Sequence, residues 1–567
     1  MLRLKFSMPI LLFAMCVSIA IFLLGCAGGG NSSESNQNKP ISDDDSDDDD
    51  SSESPQPEWY RSAVFMEIFV RSYKDSNGDG IGDFPGLTSK LSHVADLGVR
   101  AIWLMPIYPT PYFDSGYDVA DYTSINPDYG AMDDFIEFLD QAHALGLKVF
   151  LDGVFNHTSY EHSWFVESRS SRDNPKHDWY IWADTPLFNC VDPLAPNFGS
   201  DRWTYDETRK QYYYHHFFPQ MPDLNYWNPD VREAIKNVVR FWFDLGVDGF
   251  RLDVAHLYYE DAEYCMHHPL THRFLKELRS VADEYDDRAL VGEVAGMPQK
   301  VMEYFGTGAD ELNMVFNFDL DYAMLGSFYL HAPFPIDILM DMTYERIPPG
   351  GQQAVVLSNH DFYRYFDVLL RNETWYKMAS TLQLTIPGTP FIYYGEEVGM
   401  ADGTQIVVDY RDAARTPMHW DSSNNAGFTT GEPWIRMAPN YATNNVRTED
   451  GDPDSILNHF RRLIELRNET EPLCLGGFQR VRVDSMNIFA FFRTEEDESI
   501  LVVLNFAAHE QSFFLDLSLS PWFGMEGHVS DLYSGEFFTD FSRQNQSAYP
   551  ITLPGYGFAI MRFMPNE

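Results

Sequence analysis

Val247-Asp248-Gly249-Phe250-Arg251-Leu252-Asp253-Val254-Ala255 follows a helical pattern that stops at Gly246, and its residues alternate with a period of two. Phe250, Leu252 and Val254 fall on one face of the resulting strand, and Arg251 and Asp253 on the other. A guanidinium two residues from a carboxylate on the same face favours the ionised acid, the state a carboxylate nucleophile needs. An isolated Arg-x-Asp at a strand end is also an ordinary ion pair. Its meaning therefore depends on what the rest of the chain places beside it.

Upstream, residues 63–70, 99–107 and 147–155 read as strands, with helical patterns at 88–98 and 132–145 between them. Downstream, strands are predicted at 289–294, 314–318, 354–359 and 390–394, with helices near 271–285, 374–384 and 454–467. Short apolar strands alternating with amphipathic helices predict parallel pairing. Eight such strands point to an α/β fold, a closed (β/α)8 TIM barrel built from residues 59–157 and 227–470. Residues 158–226 carry aromatics, prolines and polar residues without sustained periodicity and read as a small domain inserted after the third strand. From residue 471 to 567 the pattern becomes strands without helices (478–483, 488–493, 500–506, 509–515, 551–563), an antiparallel β-sandwich.

In a parallel barrel the reactive groups gather where strands end. The third strand runs into Asp152-Gly153-Val154-Phe155-Asn156-His157, the fourth carries Arg251 and Asp253, the fifth ends Val291-Gly292-Glu293, and the seventh runs into Ser358-Asn359-His360-Asp361. Each group alone has a structural explanation, such as a helix cap for Asp361; together they place carboxylates, histidines and an arginine at one end of one barrel. The segments DGVFNH, GFRLDVAHL, VGEV and LSNHD resemble the four ordered regions of the α-amylase family of glycoside hydrolases, and Met221-Pro222-Asp223-Leu224-Asn225 resembles its marker near the end of the inserted domain. That resemblance implies Asp253 as nucleophile, Glu293 as general acid/base and Asp361 as the third catalytic carboxylate. It implies substrate contacts from Tyr117, Asp118, His157, Arg251, His360 and Arg411. Retention of configuration follows if the two catalytic carboxyls lie ~5–5.5 Å apart.

Two features bear on substrate. Asp412-Ala413-Ala414-Arg415-Thr416-Pro417-Met418-His419-Trp420, directly after Arg411, resembles a segment of oligo-1,6-glucosidases, α-glucosidases and trehalose-forming relatives, and Val254 occurs in members that cut α-1,6 bonds. MPDLN and Ala255-His256 instead resemble an intermediate group with α-amylases and neopullulanase-like enzymes. The expectation is an α-glucan hydrolase of amylase type acting on α-1,4 bonds of starch or maltooligosaccharides. The alternatives are an exo-acting α-glucosidase or oligo-1,6-glucosidase, a transglycosylase, and a noncatalytic glycan-binding protein on the same fold.

Asp75-Ser76-Asn77-Gly78-Asp79-Gly80-Ile81-Gly82-Asp83 alternates oxygen donors with glycines, as a Ca²⁺ loop requires. The twelfth position, where an EF-hand places Glu, is Gly86, and the spacing resembles the metal loop after the first barrel strand of the family. A structural Ca²⁺ is expected on Asp75, Asn77, Asp79, Ile81 and Asp83.

The first 25 residues read as an export signal, with Arg3 and Lys5 ahead of an apolar run, and Leu23-Leu24-Gly25-Cys26 resembles a bacterial lipoprotein signal in which Cys26 is lipidated. A transmembrane anchor is the rival reading, but the run is short of the ~20 residues a span needs. Residues 26–58 read as an acidic tether. An exported lipoprotein on a membrane, facing the periplasm or cell surface, is expected. The formal charge of −45 argues against nucleic-acid binding by phosphate neutralisation and suits a neutral substrate. Beyond Cys16 and Cys26, only Cys190, Cys265 and Cys474 remain, so at most one disulfide forms among them.

Overall fold

The computed structural model describes residues 59–190 and 201–566. The segments read as an export signal and an acidic tether, with Cys26, lie outside the described residues, among which no helix is long and apolar enough to cross a membrane.

Eight parallel strands close into a barrel. In chain order they are β1 (Phe65–Ile68), β2 (Ala101–Leu104) and β3 (Lys148–Gly153), then, after three short strands of the inserted domain, β4 (Trp182–Ala183), β5 (Trp203–Asp206) and β6 (Gln211–Tyr214), the remaining five: β7 (Gly249–Leu252), β8 (Ala289–Gly292), β9 (Met314–Phe316), β10 (Gln352–Val355) and β11 (Thr389–Tyr393). β1 pairs with both β2 and β11, which seals the sheet. The barrel interior is filled by Phe65, Trp103, Phe150, Val291, Met314, Phe316 and Phe391, while Phe250 and Leu252 face outward into the layer shared with the helices. Gly249 is required beside Phe150: a Cβ there would lie 2.3 Å from the Phe150 ring and from the Ala289 carbonyl oxygen. The helix before β7, Pro229–Asp244, begins with the Asn228 side chain accepting from the Asp230 amide and buries Val231, Ile235, Val238 and Trp242.

The helix predicted at 88–98 is two helices, Phe84–Thr88 and Leu91–Asp96. Thr88 does not cap; its hydroxyl donates back to the Phe84 carbonyl, and Asp83 is the capping residue, accepting from the Gly86 amide. The inserted segment forms helix Ser163–Ser170 and a three-stranded antiparallel sheet ordered β4-β6-β5, and it returns to the barrel where Asp223 bridges to His157.

The C-terminal domain has two antiparallel sheets. One contains β12 (Gly477–Arg480), β14 (Ile488–Glu495), β15 (Glu498–Asn505), β19 (Phe558–Pro565) and β17 (Gly527–Asp531); the other contains β13 (Arg482–Val483), β16 (Gln511–Asp516) and β18 (Tyr549–Leu553). Phe492, Val503, Phe513, Trp522 and Phe563 pack between them. The strand predicted at 551–563 is divided by Pro554 to Gly557 into β18 and β19, which lie in different sheets. β17 escapes sequence patterning because Val529 is its only large apolar residue.

Candidate active site

The polar groups rise on the inward-facing positions of the strands, directly above the aromatic filling. Phe65 and Glu67 share a face of β1, Phe150 and Asp152 a face of β3, and Gly249 and Arg251 a face of β7. Arg251 is buried, lies over the Trp103 ring and holds three acids: Nη1 donates to Asp152 Oδ1 at 2.8 Å and Asp253 Oδ1 at 2.7 Å, and Nη2 donates to Glu293 Oε2 at 2.7 Å. Asp253 and Glu293 thus hang from the two ends of one planar guanidinium. Glu293 Oε2 also accepts from the Val254 amide at 3.0 Å. To aim that amide, Val254 takes φ +37°, a conformation that costs a β-branched residue about 1–3 kcal/mol. Backbone bonds lock the ends of β7 and β8 together, Glu293 N to Leu252 O at 3.0 Å and Ala255 N to Glu293 O at 2.9 Å.

Three carboxylates around one cation cannot all ionise at equal cost. Burial pushes Asp253 well above the usual carboxylate range, against the pull of Arg251 and with Glu293 and Asp152 adding repulsion. Burial likewise raises Asp152 to about 6, opposed by Arg251 and His360. Burial thus favours the protonated forms of Asp253 and Asp152, and the single guanidinium favours the ionised ones. Both bonds to Glu293, from Arg251 and from the Val254 amide, fall on Oε2 and leave Oε1 outside them.

Across the cleft the balance is reversed. Asp361 Oδ1 accepts from Arg411 Nη1 at 3.2 Å and Arg415 Nη2 at 3.1 Å, and its Oδ2 lies 3.3 Å from His360 Nε2. Burial alone would raise Asp361; His360, Arg411 and Arg415 outweigh it and hold the acid well below its ordinary value. His360 Nδ1 meets Glu67 Oε1 at 2.5 Å, and although burial works against the charged ring, Asp361 and Glu67 lift it to about 9. His360 is therefore cationic at neutral pH. His157 is its opposite: buried, with Nε2 3.2 Å from the Tyr117 carbonyl oxygen, it is pushed down to about 3 by desolvation and is neutral. Tyr117 stacks on His360 at 5.2 Å, and its hydroxyl donates to Asp152 Oδ2 at 2.9 Å.

Asp118 is not a cleft residue. Its carboxylate accepts from the Thr110 hydroxyl and from the Phe113 and Asp114 amides at 2.8–3.0 Å, folding its own loop, and it has no exposed surface. The acid that this loop delivers to the cleft is Asp114, which accepts a charge-assisted bond from Arg411 Nη2. Arg411 is gripped from the other side by Asp409, with Nε to Oδ2 at 2.9 Å and Nη2 to Oδ2 at 2.5 Å. Asp114, Asp152, Glu67, Asp409 and Arg415 extend the set read from sequence. Glu67 and Asp152 had a signal, an acid on the inward face of an apolar strand; Asp114 and Asp409 lie in irregular loops and had none.

Elsewhere, Cys190 is disulfide-bonded to Cys265, joining the inserted domain to the loop after β7, and Cys474 is free and buried. In the Asp75–Asp83 loop the side-chain oxygens of Asp75, Asn77 and Asp79 each accept the amide two residues ahead, at 2.8–2.9 Å, and Asp83 Oδ2 accepts from Ser76. Among the described residues no three His, Cys, Asp or Glu side chains are gathered to hold a metal. A cation in this loop would depend on the Asn77 and Ile81 oxygens as well.

Comparison with known proteins agrees with this geometry. Residues 67–476 match the family model described as alpha amylase, catalytic domain, and residues 478–560 match maltogenic amylase, C-terminal domain. A trehalose synthase/amylase of Mycolicibacterium smegmatis is 35% identical over 88% of this chain and 92% of its own length. An oligo-1,6-glucosidase of Halalkalibacterium halodurans is 36% identical over 79% of this chain and 90% of its own. Among solved structures, the isomaltulose synthase of Protaminobacter rubrum superposes with a TM-score of 0.80 at 30% identity, covering 90% of this chain and 100% of that one. Fold, strand-end acids and sequence agree that the chain belongs to the α-amylase family and is an enzyme acting on glycosidic bonds.

Proposed function

We propose that this enzyme is exo-acting and retaining: it removes one α-glucosyl unit from the end of a short α-glucoside and passes it to water or to a second sugar. The observation that carries this reading is the Arg411–Asp114 contact. It ties the loop after β2 to the loop after β11 across the cleft, immediately beside Asp361. A polymer threading through the cleft would have to pass between two loops joined by a buried ion pair, whereas a chain end fits against it. This reading departs from the expected amylase-type hydrolysis of starch α-1,4 bonds, and the trehalose synthase and oligo-1,6-glucosidase relatives also favour the alternative.

The chemistry follows from the bonds. Arg251 occupies Asp253 Oδ1 and leaves Oδ2 to attack the anomeric carbon. Glu293 protonates the departing oxygen, and the covalent glycosyl-enzyme then passes its sugar to an acceptor activated by the same Glu293 as base. His360, Asp361 and Tyr117 surround the bound ring, where hydrogen bonds that tighten as the ring flattens lower the barrier. Transfer to sugar is the second reading, favoured by the synthases among the relatives. Product analysis tests both. With maltoheptaose, an exo enzyme releases glucose and maltohexaose from the first time point, and early fragments of intermediate length would overturn the proposal. With maltose, new disaccharides at the expense of glucose would identify transfer.

We further propose that Ca²⁺ binds Asp75, Asn77, Asp79, Asp83 and the Ile81 carbonyl; the all-oxygen donor set suits a hard cation. Export and anchoring through Cys26 remain part of the same proposal, supported by a disulfide of the kind that persists in oxidising compartments. Membrane-bound activity that survives Cys26→Ala would refute the anchor.

A further inference from the structure

The barrel end opposite the reaction holds a cavity of about 350 Å³. Its wall includes Arg61 ahead of β1, Tyr344, Gly350 ahead of β10, Gly388 ahead of β11, and Gly476 and Arg493 at the start of the C-terminal domain. Arg467 lies close behind Arg493, and both are buried. Buried cations are ordinarily matched by acids, as Arg251, Arg411 and Arg415 are at the catalytic end. These are not. Arg493 donates from Nε to the Gly476 carbonyl at 3.0 Å and from Nη1 to the Thr385 carbonyl at 2.7 Å. Arg467 donates to the carbonyls of Leu384, Leu473 and Gly388 at 2.7–3.0 Å, and its Nε is buried without a partner. Arg61 Nε is also buried and unpartnered. Among the described residues none of the three forms an ion pair, and the only acid in the cavity wall is Glu345, itself exposed. Burial, reinforced by repulsion from Arg467, lowers Arg493 to about 9, as expected of a guanidinium lacking its counter-charge. Arg364 also leans on a carbonyl, but it lies over two tyrosine rings and is not part of this cavity's wall.

We propose that this cavity is an anion site for a small phosphate-bearing molecule, remote from the reaction and seated on Arg61 and Arg493. The volume exceeds what a monatomic ion needs and falls in the range of metabolite pockets. Guanidinium groups match phosphate oxygens in charge and geometry. Gly350 and Gly388 contribute backbone to the wall, at φ +85° and +135°. In a chain of formal charge −45 the surrounding field repels anions, so capture there requires a local cationic site. Because Arg493 belongs to β14 and Arg61 precedes β1, a ligand would add a contact across the seam between barrel and C-terminal domain.

The test is calorimetric titration and thermal melting of the full chain with inorganic phosphate, with glucose 6-phosphate, and with KCl at matched ionic strength. Saturable heat and a rise in Tm with either phosphate, absent with KCl, support the site. Tenfold tighter binding of the ester than of inorganic phosphate would assign the sugar phosphate as ligand; equal binding would assign the phosphate group alone. Arg61→Gln, at a part-exposed position, should weaken binding at least tenfold and leave kcat/KM in phosphate-free buffer unchanged. Glu345→Gln should tighten it. An equal Tm rise with KCl, no saturable heat with any phosphate, or unaltered affinity in Arg61→Gln would overturn the proposal.

Discussion

Replacing Asp114 with alanine tests the closed cleft directly. Arg411 would lose one buried, charge-assisted bond but keep Asp409 on Nε and Nη2 and Asp361 on Nη1. Removing one partner of a buried pair costs about 3–5 kcal/mol when the remaining charge is stranded, and a single charged hydrogen bond is worth about 1.5–3 kcal/mol. With two acids still holding Arg411, the lower range applies, and about 2 kcal/mol is expected. Expressed in transition-state binding, that is roughly a 30-fold fall in kcat/KM. The assay is initial-rate hydrolysis of p-nitrophenyl α-glucoside, beside the product profile from maltoheptaose. The substituted enzyme should lose activity on the small substrate while mid-length fragments appear from the heptaose, because the barrier between the two loops has been weakened. A thermal midpoint near that of the parent separates this effect from misfolding. Unchanged kcat/KM together with an unchanged product profile would refute the reasoning.

Three further outcomes follow from the same contacts. His360 is raised from its ordinary ~6.5 to about 9, so its stabilising contribution is complete below about pH 6.5 and is lost as pH rises through 9; the decline of Tm over that window should be shallower in Glu67→Gln, and parallel curves would count against it. Reducing the Cys190–Cys265 bond, or Cys265→Ser, should cost about 2–4 kcal/mol of stability, read by denaturant unfolding, and no loss would show that the inserted domain is held by other contacts. Chelation with EDTA should lower Tm and added Ca²⁺ should restore it, while Asp79→Ala should abolish the response; an EDTA-insensitive Tm contradicts the calcium assignment.

The barrel was legible because its signal is periodic: short apolar strands, each followed by a helix, leave little alternative to a closed parallel sheet. Asp253, Glu293 and Asp361 could be named because strand ends converge by topology, so position along the chain translates into position in space. The same alternation would have added Glu67 and Asp152, which share strand faces with Phe65 and Phe150. Asp114 could not be separated from Asp118 in that way. Both lie in one irregular loop, and only the bonds from Thr110, Phe113 and Asp114 to the Asp118 carboxylate show which acid is spent on folding. The disulfide partner of Cys190 and the closure of the cleft by Arg411 depend on approaches across 75 and 297 residues, for which no local pattern exists.

Under the proposed mechanism Asp253 accepts the glycosyl group as nucleophile while Glu293 protonates the leaving oxygen, both held by Arg251. A slow 5-fluoro-glucosyl fluoride traps a covalent intermediate, and mass spectrometry of the digested protein locates it. A single glycosyl adduct on the peptide containing Asp253, with the α-anomer as the first product of normal turnover, is the predicted result. An adduct on any other residue, or a β-anomeric first product, would contradict it.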